Sequence, residues 1–321
     1  MKRTLAILGI LVLVMVALGL WVTRDKTEAP PTVAPPAPSA STVAPVVSSD
    51  AAPTGEPEVR ILRQSGDVRV RTGEGDWEAS APGQQLPVSA EVETGIGARV
   101  SLQIGELSTV DMMDSSRVTV RELSDSVQRM GLLGGRVSVN YEEKGERVLM
   151  IENASGTASA RVRQGKFSMT NNGTVIAVAT ETGSVDLTSA GKTVAVASGL
   201  QASASDGEVP TQPGTISPQL ILRLSDKACT RQKGTAVKVR GSVAPGTRVF
   251  VNQQPAKVNA TGQFVADLQL ERGKSNILIE TEDVVGRRTT RSVSCVIVEP
   301  GEPDAREVDF KWGVTKGKKA S

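Results

Sequence analysis

Turn signals recur along most of this chain and limit the secondary structure it can form. From about residue 58 to residue 299, short runs of β-branched and small residues alternate with turns rich in glycine, asparagine and proline. Within Val68 to Thr72, apolar residues alternate with arginine, which is typical of a half-buried strand. No segment shows a sustained helical stripe, and aromatic residues make up only 2% of the chain. The sequence therefore predicts an all-β protein built from thin, two-layered modules.

Two hairpins are predicted within the first part of this region. The segment from Lys166 to Ala179 is predicted to form one hairpin, in which Asn172-Gly173 supplies a turn with positive φ. The strands Gly183 to Leu187 and Thr193 to Ala197 form the second pair, with Ala190-Gly191 between them.

The N-terminus is predicted to carry an export signal. Leu5 to Val22 is a run of eighteen uncharged residues that follows Lys2-Arg3. A helix of that length rises about 27 Å, close to the thickness of the hydrocarbon core of a membrane. Two interpretations stay open: an uncleaved transmembrane helix, or a signal peptide cleaved after Ala17-Leu18-Gly19. Both export the rest of the chain, so we expect a single-pass membrane protein, with the bulk of the chain on the outer side of the membrane.

Composition divides the chain into five parts. Residues 1–26 form the membrane anchor or signal segment, and residues 27–57 form a linker with eight of the seventeen prolines, which favours an extended conformation. Two all-β modules are expected at 58–208 and 217–299. Residues 300–321 are predicted to be a flexible basic tail.

The two modules carry opposite net charges. Residues 56–208 contain 15 Lys+Arg and 21 Asp+Glu, a net charge of −6, whereas residues 217–299 contain 13 and 7, a net charge of +6. These charges allow the modules to attract each other or to bind separate partners, and they also fit an ordinary solvated surface. The basic residues are not interleaved with aromatics, so nucleic acid is not an expected partner.

The residue inventory offers no catalytic, cofactor-binding or metal-binding set. Histidine is absent, which excludes the usual triads, and no glycine-rich loop precedes a helix. Glu142-Glu143 and Glu280/Glu282 are interpreted as exposed strand or turn charges. Asp283 is interpreted as a turn former, with a share in a cation site as the alternative. We therefore expect no enzyme activity and no cofactor.

The two cysteines, Cys229 and Cys295, both lie in the last third of the chain. Their spacing fits neither a zinc knuckle nor a redox pair. An even number of cysteines in an exported chain suggests one disulfide, and two buried free thiols are the alternative.

The first module resembles the FecR domain family. The resemblance rests on an ordered series of short segments: Gly66-Asp67-Val68, Trp77, Pro82-Gly83, Thr94 to Leu102, Leu133 to Val137, Asn153 to Ala158, Gly165 to Ser168, Thr182 to Val185 and Val196 to Gln201.

That resemblance implies an exported, all-β domain of binding or sensory character. The family is first known from transmembrane regulators that relay ligand occupancy of an outer-membrane receptor to a sigma factor. Those regulators have a folded cytoplasmic segment, whereas here only Met1 to Thr4 precede the apolar run. Direct anti-sigma activity is therefore not expected.

The second module resembles the bacterial Ig-like domains that act as spacers in envelope proteins. Turn signals every 8–12 residues are typical of a small sandwich. The resemblance rests on Gly241, Pro245-Gly246, Val251-Asn252, Gly262-Gln263-Phe264, Gly273, Asn276-Ile277, Asp283 and Gly286.

Two functional hypotheses follow. The first is a tethered binding or scaffolding protein in the periplasm that recognises an envelope protein or a cell-wall polymer and contacts the inner membrane through Leu5 to Val22. The second is a sensor or regulatory subunit of a trans-envelope signalling system that acts through a separate membrane partner. A glycan-active enzyme is the least supported class.

Overall fold

In a computed structural model, the structure describes residues 58–143, 145–225, 229 and 231–298. The predicted membrane segment Leu5 to Val22, the proline-rich linker and the basic tail lie outside these residues. Within them, no helix is long and apolar enough to cross a membrane. Every named element is a strand, so the predicted all-β class is confirmed.

Among the residues that the structure describes, the first module contains fifteen strands. They are β1 (Val59–Ser65), β2 (Val68–Thr72), β3 (Glu78–Ala79), β4 (Ala90–Thr94), β5 (Arg99–Ile104), β6 (Ser108–Met112), β7 (Ser116–Leu123), β8 (Val127–Tyr141), β9 (Val148–Glu152), β10 (Ala158–Val162), β11 (Gly165–Asn171), β12 (Val175–Ser189), β13 (Lys192–Ala197), β14 (Leu200–Ser205) and β15 (Gly214–Thr215).

Two long strands, β8 and β12, each take part in two sheets. The C-terminal half of β8 and the N-terminal half of β12 flank β11 in one sheet, with the order β1-β5-β6-β8-β11-β12-β14-β15. Their other halves belong to a second sheet, with the order β3-β2-β4-β7-β8-β9-β10-β12-β13. One hydrophobic core contains side chains from both sheets. Strands that pass from one sheet to the other are a known way of closing a sandwich at its corners.

A glycine pair bends β8 where it changes sheets. Gly135 has a φ of +100°, and a Cβ at this position would lie 2.2 Å from Ser116 Oγ. Gln128 lies near the start of β8 and Tyr141 at its end. The hydroxyl of Tyr141 donates a hydrogen bond to Gln128 Oε1 at 3.1 Å, which shows that the two halves of the bent strand face each other. Burial of this tyrosine raises its pKa to about 12.

The two predicted hairpins are present. β11 and β12 pair through a turn in which Gly173 has a φ of +92°, and the carboxamide oxygen of Asn172 accepts hydrogen bonds from the next backbone N–H groups. β12 and β13 pair through Ala190-Gly191, and both residues have positive φ, as a type I′ turn requires.

The described part of the second module contains eight strands. They are β16 (Leu222–Leu224), β17 (Arg231–Lys233), β18 (Ala236–Val243), β19 (Arg248–Val251), β20 (Gln254–Ala256), β21 (Gln263–Gln269), β22 (Gly273–Glu282) and β23 (Arg288–Val298).

These strands form two sheets around a second hydrophobic core. The sheet orders are β16-β18-β21 and β17-β23-β22-β19-β20, and the core includes Phe264 and Ile277. Cys229 and Cys295 lie in this core with their Cα atoms 4.9 Å apart, and the structure joins them in a disulfide. Cys295 belongs to the last strand, so the bond ties the beginning of the module to its end.

We expect alanine at position 135 to be far more costly than alanine at position 134. Gly135→Ala combines positive-φ strain with a clash against Ser116, which together cost about 2–4 kcal/mol. A Cβ at Gly134 meets nothing within 4 Å, so Gly134→Ala is the matched control. Chemical denaturation of both variants measures the difference. Equal stabilities would show that the bend of β8 does not depend on Gly135.

We expect loss of the Cys229–Cys295 disulfide to destabilise the second module. The two residues are separated by 66 positions, and a disulfide that closes such a loop stabilises the folded state by about 4 kcal/mol in the chain-entropy model. Replacing both cysteines with serine should lower the melting temperature of the second module, and reduction of the unmodified protein should have the same effect. A count of two reactive thiols in unfolded, non-reduced protein would contradict the pairing.

Candidate functional site

The two modules meet at a cluster of charged side chains. The first module contributes Asp114, in the turn between β6 and β7, and Arg136 of β8. The second module contributes Arg248 at the start of β19, Glu282 at the end of β22 and Arg288 at the start of β23. We refer to these five residues as the junction cluster.

Strand register places three of these charges in one row. Arg248 pairs with Glu282 across β19 and β22, and Glu282 pairs with Arg288 across β22 and β23. Arg248 Nη1 donates to Glu282 Oε2 at 2.6 Å, and Arg288 Nη2 donates to Oε1 of the same carboxylate at 3.1 Å. Opposite charges on neighbouring strands stabilise each other, so this row is favourable within the second module alone.

The same arginines extend from this row to the first module. Arg248 Nη2 donates to the carbonyl oxygen of Asp114 at 2.7 Å and to that of Ser115 at 3.1 Å. Arg288 forms an ion pair with the Asp114 carboxylate. These bonds join the second module to the turn between β6 and β7.

Arg136 extends from the first module to the second. Arg136 of the first module donates from Nε to the carbonyl oxygen of Val284 at 3.0 Å, and its Nη1 lies 3.8 Å from Glu282 Oε1. A Cβ at Gly286 would lie 2.5 Å from the Arg136 guanidinium, so only glycine leaves room for this side chain in the turn between β22 and β23.

Burial and nearby carboxylates act against each other on these arginines. Burial lowers the pKa of Arg248 and of Arg136, and the Glu282 carboxylate offsets part of that effect on both. The pKa of Arg288 is raised: burial lowers it, but Glu282 and Asp114 together outweigh burial. Arginine stays protonated at any physiological pH, so the cluster holds three positive charges around two carboxylates.

Neutral contacts continue the interface. Thr170 Oγ1 donates to the carbonyl oxygen of Gly246 at 2.9 Å, and the Asn172 carboxamide donates to the carbonyl oxygen of Thr247 at 3.2 Å. Ala177 of β12 packs in one apolar cluster with Val284 of the second module. The modules therefore share polar, ionic and apolar contacts, and both lie in one compact unit.

The sequence-based interpretation of Glu282 as an exposed charge is wrong. Glu282 is 2% exposed and lies at the centre of the junction cluster. Glu280, two residues earlier on the same strand, is partly exposed, so the two glutamates of this strand have different environments. The partners of Glu282 come from β19, β23 and β8, and that pairing cannot be read from local sequence.

Other polar residues that the sequence singled out have structural roles. Asp283 accepts the backbone N–H of Arg287 through Oδ1 at 2.8 Å and forms an ion pair with its side chain, as expected of a turn former. Asn252 has a φ of +48° in the turn between β19 and β20, and its Oδ1 accepts the N–H of Leu278. The described part of the chain contains no group of three or more Cys, Asp or Glu placed to hold a metal ion.

An open cleft of about 730 Å³ lies between the modules beside the junction cluster. Its lining includes Ile96 of the turn between β4 and β5, the Gly134-Gly135 bend, and Phe250, Gln253 and Pro255 of the β19–β20 hairpin. The volume falls within the usual range for ligand-binding clefts.

A second row of charges borders the cleft. Arg69, Glu93 and Arg117 are in register across β2, β4 and β7, and the Glu93 carboxylate accepts from Arg69 at 2.8 Å and from Arg117 at 2.6 Å. All three residues line the cleft. The Trp77 ring lies against this row, with its centroid 5.7 Å and 5.2 Å from the Cζ atoms of the two arginines and 4.7 Å from that of Arg71.

The family model described as FecR protein matches residues 90–186, from the start of β4 into β12. This finding confirms the FecR resemblance for that segment, which is less than half of the chain. The Ig-like resemblance of residues 217–299 lies beyond the matched segment and stays a prediction. No curated protein matches the sequence.

Among solved structures, the chain is similar to a protein from Parabacteroides distasonis described as an anti-sigma factor, with a TM-score of 0.35 and 12% identity. The alignment covers 40% of this chain and 61% of that one, so the chain spans about three fifths of its length. Fibronectin(III)-like modules of CbhA from Clostridium thermocellum align with a TM-score of 0.22 and 11% identity, over 57% of this chain and 94% of that one. At these scores the similarities assign no activity or partner to this chain.

The two rows of charges predict different costs for the same substitution. Glu282→Gln leaves the buried guanidinium of Arg248 without its carboxylate partner and should reduce the free energy of unfolding by about 3–5 kcal/mol. Glu93→Gln disrupts a row of the same composition whose side chains are 23–47% exposed, and should cost about 1 kcal/mol or less. Urea denaturation of the two variants provides the comparison. Similar costs would show that burial does not decide the strength of the junction.

Proposed function

We propose that this chain is a non-catalytic regulatory protein of the bacterial cell envelope, which binds a partner in the periplasm while tethered to the inner membrane. The match of residues 90–186 to the FecR protein family, a regulatory and non-enzymatic family, is the observation that carries this proposal. The predicted export signal at Leu5 to Val22 supports the location.

The junction cluster supports a binding role in which both modules act together. Asp114 and Arg136 lie inside the FecR-matched segment, and both bond to the second module. A buried ion pair that loses one partner is strongly destabilised, so separating the modules would expose or orphan several charges. The second module is therefore a fixed part of the surface that the FecR-type module presents.

Scaffolding of a cell-wall polymer or a secretion component, without any signal, is the second candidate. The open cleft between the modules favours recognition of a partner but does not by itself distinguish a regulator from a scaffold. Deletion of the protein would distinguish the two functions. Loss of a regulator changes a defined set of transcripts, whereas loss of a scaffold impairs assembly of the envelope structure that it binds.

Crosslinking from the cleft is expected to capture a regulatory partner. A photo-reactive residue at Gln253, which is exposed and lines the cleft, should crosslink in living cells to a membrane regulator or an outer-membrane receptor. Deleting the chain should change transcription of a limited gene set, and re-expression should restore it.

The matched control carries the photo-reactive residue at Val265, which is 48% exposed on β21 and does not line the cleft. A periplasm-specific reporter fused after Ser321 checks the location. Crosslinks from Gln253 to peptidoglycan or secretion components, together with unchanged transcription, would establish the scaffold instead. A reporter active only in the cytoplasm would refute both.

A further inference from the structure

The two rows of arginine and glutamate have the same composition but different accessibility. In the junction cluster, the side chains of Arg248 and Glu282 are 5% and 3% exposed, and their hydrogen bonds go to protein groups. In the row that borders the cleft, Arg69 and Arg117 are 47% and 40% exposed. Arg288 of the junction cluster is also 46% exposed, but it forms ion pairs with two carboxylates, those of Glu282 and Asp114. In the row that borders the cleft, two exposed arginines share one carboxylate.

The exposed row carries a surplus of positive charge on an acidic module. Arg69 and Arg117 share the single carboxylate of Glu93, which leaves one net positive charge. The surrounding residues 56–208 have a net charge of −6. At physiological ionic strength charges more than about 8 Å away are largely screened, so the surplus charge of the nearby arginines favours an anionic group here despite the acidic module. Arginine binds carboxylates in a two-point geometry.

A tryptophan fixes the arginines and offers its own surface. Trp77 lies in the loop between β2 and β3, is half-buried, and has three guanidinium groups near its ring. Stacking and the ion pairs to Glu93 hold Arg69 and Arg117 in place, which reduces the entropy lost when a ligand binds. The part of the indole that stays exposed provides apolar surface beside them.

The adjoining wall of the cleft favours side-chain recognition over strand addition. Gln253 and Gln254 are exposed carboxamides, which both donate and accept hydrogen bonds. The edge strand of the five-stranded sheet at this wall is β20, and it contains Pro255. Because proline has no N–H group and blunts a sheet edge, a peptide strand gains little by pairing there.

We propose that Trp77, Arg69, Arg117 and the adjoining Gln253 and Gln254 form a binding site for a linear glycan that carries carboxylates. The arginines bind the carboxylates, the indole packs against a sugar ring, and the carboxamides bind hydroxyl groups. This inference rests on the proposed function, because it names the chemical class of the ligand that the regulatory protein recognises.

Titration of the purified full-length chain with oligogalacturonate tests the site. Trp77 is one of three tryptophans, so its fluorescence response is assigned by comparison with Trp77→Phe. Oligogalacturonate should bind and change the fluorescence of Trp77, whereas uncharged dextran should not bind. Trp77→Ala and Arg117→Gln should each weaken binding about tenfold or more, and Trp77→Phe should keep most of it.

Arg161→Gln is the matched control, since Arg161 is an exposed arginine of the same sheet that does not line the cleft. Its affinity should equal that of the unmodified chain. Circular dichroism confirms folding, and if Trp77→Ala unfolds, Arg117→Gln and Trp77→Phe still decide the result.

Three outcomes would overturn the proposal: no binding of oligogalacturonate, equal binding of polyglutamate, or equal loss of affinity in Arg161→Gln. Polyglutamate is the peptide arm of the test, and equal affinity would show that the site reads charge alone. Transcription in cells that carry Arg117→Gln separates this proposal from the proposed function. If the purified unmodified protein does not bind oligogalacturonate and cells that carry Arg117→Gln regulate transcription normally, the glycan proposal is refuted and the regulatory role still stands.

Discussion

The carboxylate of Glu282 is the group on which the relation between the two modules depends. It accepts hydrogen bonds from Arg248 and Arg288 of its own module and lies near Arg136 of the other. A buried ion pair gives little net stability compared with apolar packing, but it is costly to break. Such a junction therefore acts mainly by excluding other arrangements of the modules, since a shifted interface would leave at least one buried charge without a partner.

The first module brings its half of the junction into place through bent strands. β8 and β12 each pass from one sheet to the other, at Gly134-Gly135 and near Gly183, where a Cβ would lie 2.5 Å from the carbonyl oxygen of Gln164. Arg136 directly follows the first bend, and its backbone N–H donates to Ser116 Oγ at 3.0 Å. The bend that closes the sandwich thus also orients the arginine that contacts the second module.

Local features of the fold were predictable from the sequence, whereas the junction was not. The Asn172-Gly173 and Ala190-Gly191 turns and the all-β class of both modules follow from short-range patterns, because turn chemistry and period-two alternation act over a few residues. Glu282 is different. Its burial depends on Arg136, which precedes it by almost half of the chain, and on the register of β19 and β23. The opposite net charges of the modules did not identify these contacts either, since Arg136 belongs to the acidic module and Glu282 to the basic one.

Comparison of the two rows shows how location determines what the same set of side chains does. Both rows place a glutamate between two arginines on adjacent antiparallel strands, so local geometry and composition are alike. Where water is excluded, an arginine loses hydration that only the protein can replace, and its hydrogen bonds then serve to fix one module against the other. Where water remains, the ion pairs contribute little to stability and the guanidinium groups keep N–H donors for another molecule. Contact between the two modules produces both situations, because it buries Arg248 and Glu282 of the second module and leaves the row of the first module at the edge of the cleft. The cleft is thus a consequence of how the junction is closed, and its arginines are available for binding because the junction does not use them.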